Sequence, residues 1–99
     1  MFKAMVMLNR RDDLSREAFG RWWLDEHRPL VRQLPGLHRY VVNLVEEGPE
    51  EGGDGFAELW FESREAFDAA YATDAGKAVV ADSMAHARSR VRYVVAEHE

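Results

Sequence analysis

Between Phe19 and Leu34 the apolar residues Phe19, Trp22, Trp23, Leu30, Val31 and Leu34, joined by His27, recur at three- and four-residue spacing. That period lines one face of an α-helix and commits it to burial against another element. Ser15 reads as the N-cap, with Leu14 before it and Phe19 four residues after it placed as a hydrophobic staple. Glu17, Arg21, Asp25 and Arg28 fall on the opposite face. Pro29 disturbs the pattern, because its ring displaces the Asp25 carbonyl and its missing N–H leaves that carbonyl without an intrahelical partner. A kink or restart is expected there, and Leu34-Pro35-Gly36 ends the helix.

Short β-type runs flank this helix. Phe2 to Leu8 is apolar and too short for a buried helix, so it reads as strand 1; Leu37 to Val45, rich in β-branched and aromatic residues, reads as strand 2. Glu46 to Gly55 holds four Gly, one Pro and five acidic residues and reads as a solvated loop whose charge excludes a phosphate cradle. Phe56 to Glu62 is strand 3, and Ser63 caps a helix carrying Phe67, Ala70 and Tyr71. After a break at Thr73-Asp74, a second helical piece from about Ala75 to Arg88 places Ala78, Val79, Asp82, Ala85 and His86 near one stripe. Arg90 to Ala96 is strand 4.

Two strand-helix-strand halves in this order give a βαββαβ α+β fold of ferredoxin-like type, a four-stranded antiparallel sheet with both helices on one face. Phe2, Val6 and Leu8 alternate with Lys3, Met5 and Met7, while Tyr40, Val42 and Leu44 alternate with Val41 and Val45. Neither side of the sheet is clearly polar. One face under helices and the other against a second sheet satisfies that pattern, which points to a homodimer joined through sheet faces.

A chain of 99 residues suits a single domain spanning 1–99. So short a domain has a thin stability margin, and the absence of Cys excludes disulfides and thiolate metal sites, which again favours a dimer. The net charge of -5 argues against nucleic acid as a partner, since that affinity rests on Lys and Arg. No stretch approaches the roughly 20 apolar residues that span a bilayer, and the start of the chain lacks a basic leader, so no membrane is expected and a cytoplasmic location is the default.

Phe19, Trp22-Trp23, Glu26-His27, Pro29-Leu30, Leu34-Pro35-Gly36-Leu37, Arg39-Tyr40 and Ala57-Glu58-Leu59-Trp60-Phe61 stand in an order and spacing that resembles the EthD family of the dimeric α+β barrel superfamily. The most distinctive stretch runs from His-x-Pro-Leu to Pro-Gly-Leu-x-x-Tyr. The resemblance implies a dimeric barrel with a pocket between sheet and helices in each subunit. It also implies cofactor-free chemistry on small, often aromatic, lactone or polyketide-like molecules, of isomerase or dehydratase type. His27 and Tyr40 match the family positions suspected of contacting ligand. The long acidic loop from Gly48 to Gly55, and His38, depart from the family pattern.

His27 is the strongest candidate on physical grounds, because an imidazole on this stripe faces the sheet. The alternative is a neutral core histidine donating to a backbone carbonyl. Tyr40, expected to share a face with His38 and Val42, can donate a hydrogen bond to a carbonyl or enolate, or serve only as an interior phenol with a structural partner. Trp23, Trp60 and Tyr71 offer a flat wall for an aromatic ligand, although aromatic stripes are more often core. Glu58 shares its side with Trp60 and is a candidate second acid or base if buried, otherwise a carboxylate facing water. Asp82 and His86, four apart, permit an oriented His-Asp pair or a surface contact, but no complete metal site; His38 and His98 have no evident neighbours.

These residues lead to one expectation: a small apolar molecule bound without metal or cofactor, with His27 and Tyr40 catalytic in proton transfer and Trp23, Glu58, Trp60 and Tyr71 in contact with substrate. Two competitors share the architecture, namely a non-catalytic ligand-binding or stress-related dimer and a cofactor-free monooxygenase or haem-handling relative. An RNA-recognition domain shares the βαββαβ order, but the basic, aromatic RNP1 signature is missing.

Overall fold

The computed structural model describes residues 1–99 and contains one four-stranded antiparallel sheet in the order β2-β3-β1-β4. Its strands are β1 (Phe2–Arg10), β2 (Leu37–Leu44), β3 (Gly55–Phe61) and β4 (Ala87–Val95). The helices are α1 (Arg16–Trp22), continued by a π-turn (Trp23–His27) into α2 (Arg28–Val31), then α3 (Arg64–Ala72) and α4 (Asp74–His86). This is the ferredoxin-like arrangement. No helix is long and apolar enough to cross a membrane.

The core lies between one sheet face and the helices. Ala4, Val6 and Leu8 of β1 and Ala57, Leu59 and Phe61 of β3 meet Phe19, Trp22, Trp23 and Val31 from the first helical segment and Phe67, Ala70 and Val79 from the second. The other sheet face is a grid set by strand register. Arg39, Trp60, Lys3 and Val95 form one row; Val41, Glu58, Met5 and Tyr93 the next; and Asn43, Phe56, Met7 and Val91 the third. Both predicted N-caps form, with Ser15 Oγ accepting from Ala18 N–H and Ser63 Oγ from Ala66 N–H.

Boundaries differ from expectation in informative places. Strand β2 stops at Leu44 and β3 starts at Gly55, one residue earlier in each case. Gly55 joins the strand by pairing with Leu8 and Leu44, and it lets the Trp23 ring lie close, since an added Cβ would meet Cζ3 at 2.4 Å. Thr73 ends α3 and, through Oγ1 accepting from Gly76 N–H, caps α4, so the second helix starts at Asp74. Strand β4 begins at Ala87, directly after α4 and three residues before the expected start. Gly36 adopts φ 78 after Leu34-Pro35, the left-handed conformation that glycine tolerates and that turns the chain into β2.

The helix around Pro29 is not simply kinked. Arg28 N–H donates to the carbonyl of Trp23, five residues back, so the ladder slips into π geometry before the proline is reached. In that slipped register Pro29, not Arg28, falls opposite the Leu24 carbonyl and has no N–H to give. The Leu24 carbonyl is therefore left without a backbone partner. Arg28 supplies the remedy with its own side chain, Nε donating to Leu24 O at 3.2 Å.

Candidate functional site

The π-turn carries both Trp23 and His27 into the interior, where His27 is only 3% exposed. Its imidazole is held from α4. Nδ1 lies 2.9 Å from Asp82 Oδ2, and Nε2 lies 3.3 Å from Ser83 Oγ. Burial draws the His27 pKa below its ordinary value, against the opposing pull of the Asp82 carboxylate. The neutral ring then donates from Nδ1 to a carboxylate that can only accept, which assigns the lone pair to Nε2. Asp82 also accepts from Trp22 Nε1 at 3.1 Å, and its Oδ1 lies 3.3 Å from His86 Nδ1. His86 in turn stacks on Trp22 with ring centroids 4.5 Å apart.

His27 lines a narrow pocket between sheet and helices with about 10 Å³ open to a water-sized sphere, and the Ser83 hydroxyl stands 3.3 Å from its Nε2. Val6, Leu8, Ala57 and Leu59 form its floor on the sheet, and Val31 and Val79 contribute from the helices. The polar groups that line it are His27, Ser83, Tyr40, Tyr71 and Arg90. A mostly apolar cavity with a few convergent polar groups is the usual form of a small-molecule site.

Tyr40 reaches the pocket by an unexpected route. Leu37 pairs with Phe61 and Arg39 with Trp60, leaving His38 as an extra residue in a β-bulge. The bulge resets the alternation, so Leu37 and Tyr40 both turn to the core, and His38 does not share Tyr40's face in the regular pleat. His38 instead lies 3.4 Å from Glu62 at the surface. The Tyr40 hydroxyl accepts from Trp23 Nε1 at 2.7 Å, and burial pushes its pKa up to about 12, so it is a neutral phenol with its proton free to donate. Tyr71 packs on Phe67 and is likewise pushed upward by burial.

Four of the six sequence-predicted site residues, His27, Tyr40, Trp23 and Tyr71, come together at this pocket, and Glu58 and Trp60 do not. Register places those two on the opposite sheet face, because Leu59 between them points to the core. Glu58 is bound there by Lys3 Nζ at 2.9 Å and by Asn43 Nδ2 at 3.0 Å, and the Lys3 contact leads in lowering its pKa. Trp60 is sandwiched by cations, with Lys3 Nζ 4.5 Å and Arg39 Cζ 4.7 Å from its ring centre. Asp82 holds His27 as well as His86, a long-range pairing that i,i+4 spacing alone cannot reveal. Ser83 and Arg90 escape the sequence reading altogether. The one available signal for Arg90 was its place between Arg88 and Arg92 in a strand where arginines alternate with Ser89 and Val91.

A ferredoxin-like sheet whose helices enclose a small apolar pocket around a carboxylate-backed histidine defines the class to which this molecule belongs. Residues 11–88 match the EthD domain, and the chain belongs to the EthD family. An EthD-family protein from Bacillus halodurans is similar in structure at a TM-score of 0.83, with 26% identity over 99% of this chain and 100% of that one. An uncharacterized 11.0 kDa protein from the thcB-thcC intergenic region of Rhodococcus erythropolis is 26% identical, covering 100% of this chain and 96% of its own. Two more distant structures share the fold. A dimeric ferredoxin-like protein of unknown function from Thermobifida fusca has a TM-score of 0.78 at 14% identity, covering 97% of this chain and 90% of that one. SnoaB, a cofactor-independent oxygenase from Streptomyces nogalater, has a TM-score of 0.72 at 10% identity, covering 99% and 93%.

Proposed function

We propose that the pocket binds a small apolar molecule and that His27 moves a proton to or from it without a cofactor, in chemistry of isomerase or dehydratase type. The observation that carries this reading is the His27–Asp82 contact of 2.9 Å behind an imidazole that lines the cavity beside Ser83. A neutral histidine, oriented by a carboxylate and released from solvent, is a general base near neutral pH. As it takes the proton, Asp82 stabilises the imidazolium. Tyr40 donates to the enolate-like oxygen that forms, a role that suits a phenol kept protonated by burial. Trp23 and Tyr71 contact the apolar body of the substrate.

The same reading includes a homodimer through the open sheet face. Val91 and Tyr93 stand 36% and 49% exposed on that face, beside Met5 and Met7, and a second sheet packed there completes a barrel. A fold neighbour described as dimeric, and another described as a cofactor-independent oxygenase, are consistent with this assembly and with cofactor-free chemistry in this architecture.

Titration of the histidine rings by NMR, with and without small aromatic ketones, tests the site. A His27 pKa that moves with ligand supports the proposal. One that ignores every ligand returns the pocket to packing alone.

A further inference from the structure

Arg90 pairs with Leu8 across β1 and β4, so its side chain rises from the same sheet face as Leu8, into the pocket. It is the one cation among the lining residues. Its Nε is buried without a hydrogen-bond partner, and its guanidinium meets the neutral Tyr71 hydroxyl but no carboxylate, taking part in none of the protein's ion pairs. The contrast with its neighbour on the same face is direct. Arg92 lies over the Phe67 ring at 5.0 Å and is exposed to solvent, outside the pocket. A guanidinium beside an apolar cavity is costly to leave without a counter-charge, and its Nε–H with the adjacent Nη–H forms the parallel pair of donors that grips a carboxylate side-on.

We propose that Arg90 is the anion anchor of this pocket and that its ligand is a small apolar molecule bearing a single carboxylate. The inference rests on the small-molecule reading of the site and adds the charge of what binds. One guanidinium with no second cation in the lining matches one planar negative charge, and nothing there meets the further charges of a phosphate. The placement also serves the proton transfer. A cation near His27 favours its neutral form, the form that acts as base, and a carboxylate bound to Arg90 returns the ring toward protonation once substrate is present.

The test is a calorimetric titration of the full chain with benzoate and with benzamide, which share shape and differ in charge. Parent protein binds benzoate about tenfold or more tightly than benzamide, as a charge-assisted pair requires. Arg90→Gln removes that preference and leaves benzamide affinity unchanged, whereas Arg92→Gln, with the same change of charge outside the pocket, leaves both intact. If Arg90→Gln does not fold, Arg90→Lys keeps a charge without the side-on donor pair and weakens benzoate several-fold with benzamide unchanged. Equal affinities in the parent protein, or a benzoate preference that survives these changes, overturn the assignment of Arg90 while the pocket stands. Failure of both compounds to bind overturns the pocket reading and this inference with it.

Discussion

The Nδ1 of His27 lies 2.9 Å from Oδ2 of Asp82, joining a π-turn in the first helical segment to the last helix of the chain. That bond crosses 55 residues of sequence and does two things at once. It satisfies a nitrogen buried against Trp22 and Trp23, and it leaves Nε2 to the Ser83 hydroxyl at the pocket lining.

Replacing Asp82 by Asn keeps an oxygen acceptor but removes the charge that raises the His27 pKa. The His27 pKa should fall further below its ordinary value, as read from its ring proton shifts against pH. Losing charged hydrogen bonds from His27 and Trp22 should also lower stability by about 1–3 kcal/mol in chemical denaturation.

The depressed His27 pKa carries a pH dependence of defined sign. The unfolded chain takes up this proton near its ordinary value of 6.5, while the folded chain resists it to lower pH. The stabilisation is therefore complete above about 6.5 and is lost as pH falls through the folded value. Denaturation at about pH 7.5 and about pH 5.5 should show the protein weaker at the lower pH, and His27→Gln should flatten the difference.

Tyr40→Phe leaves Trp23 Nε1 buried without its acceptor at 2.7 Å. The expected cost is about 1–3 kcal/mol, with a shift in tryptophan emission as the indole loses its partner. Loss of emission change with full stability would show that the indole finds another acceptor.

Gly55→Ala places a methyl 2.4 Å from Trp23 Cζ3, in a cavity wall with no room to give. The ring must shift, and overpacking of this kind costs about 1–3 kcal/mol. The Tyr40–Trp23 bond should weaken with it, so the pocket should lose affinity for aromatic ligands even where the fold survives.

Val91→Glu combined with Tyr93→Glu places two like charges on the open sheet face, in adjacent rows. Sedimentation should report a monomer where the parent protein is a dimer. A parent protein that sediments as a monomer at high concentration contradicts the sheet-to-sheet assembly.

The stripe from Phe19 to Leu34 is legible in the sequence because its period is strong, and it correctly buries His27. Local rules also reveal both serine caps. What they miss is set over longer range or by small slips of register. The π-turn depends on Arg28 bonding five residues back, and the bulge at His38 decides that Tyr40 faces the core. Alternation correctly pairs Glu58 with Trp60, but it cannot say which face they share; the core position of Leu59 decides that. Asp82, Ser83 and Arg90 join the site only because α4 packs on the first helical segment and β4 pairs with β1, relationships with no local signature.

The central claim is that His27 transfers a proton at this pocket, and deuterium exchange tests it without knowledge of the natural substrate. Phenylpyruvate, an aromatic 2-keto carboxylate with an acidic benzylic C–H, is incubated in deuterated buffer with the protein and followed by NMR. The parent protein should accelerate exchange at that carbon above the buffer rate, and His27→Ala, folded by circular dichroism, should return it to the buffer rate. Exchange no faster than buffer with the parent protein, or equally fast with His27→Ala, contradicts the account.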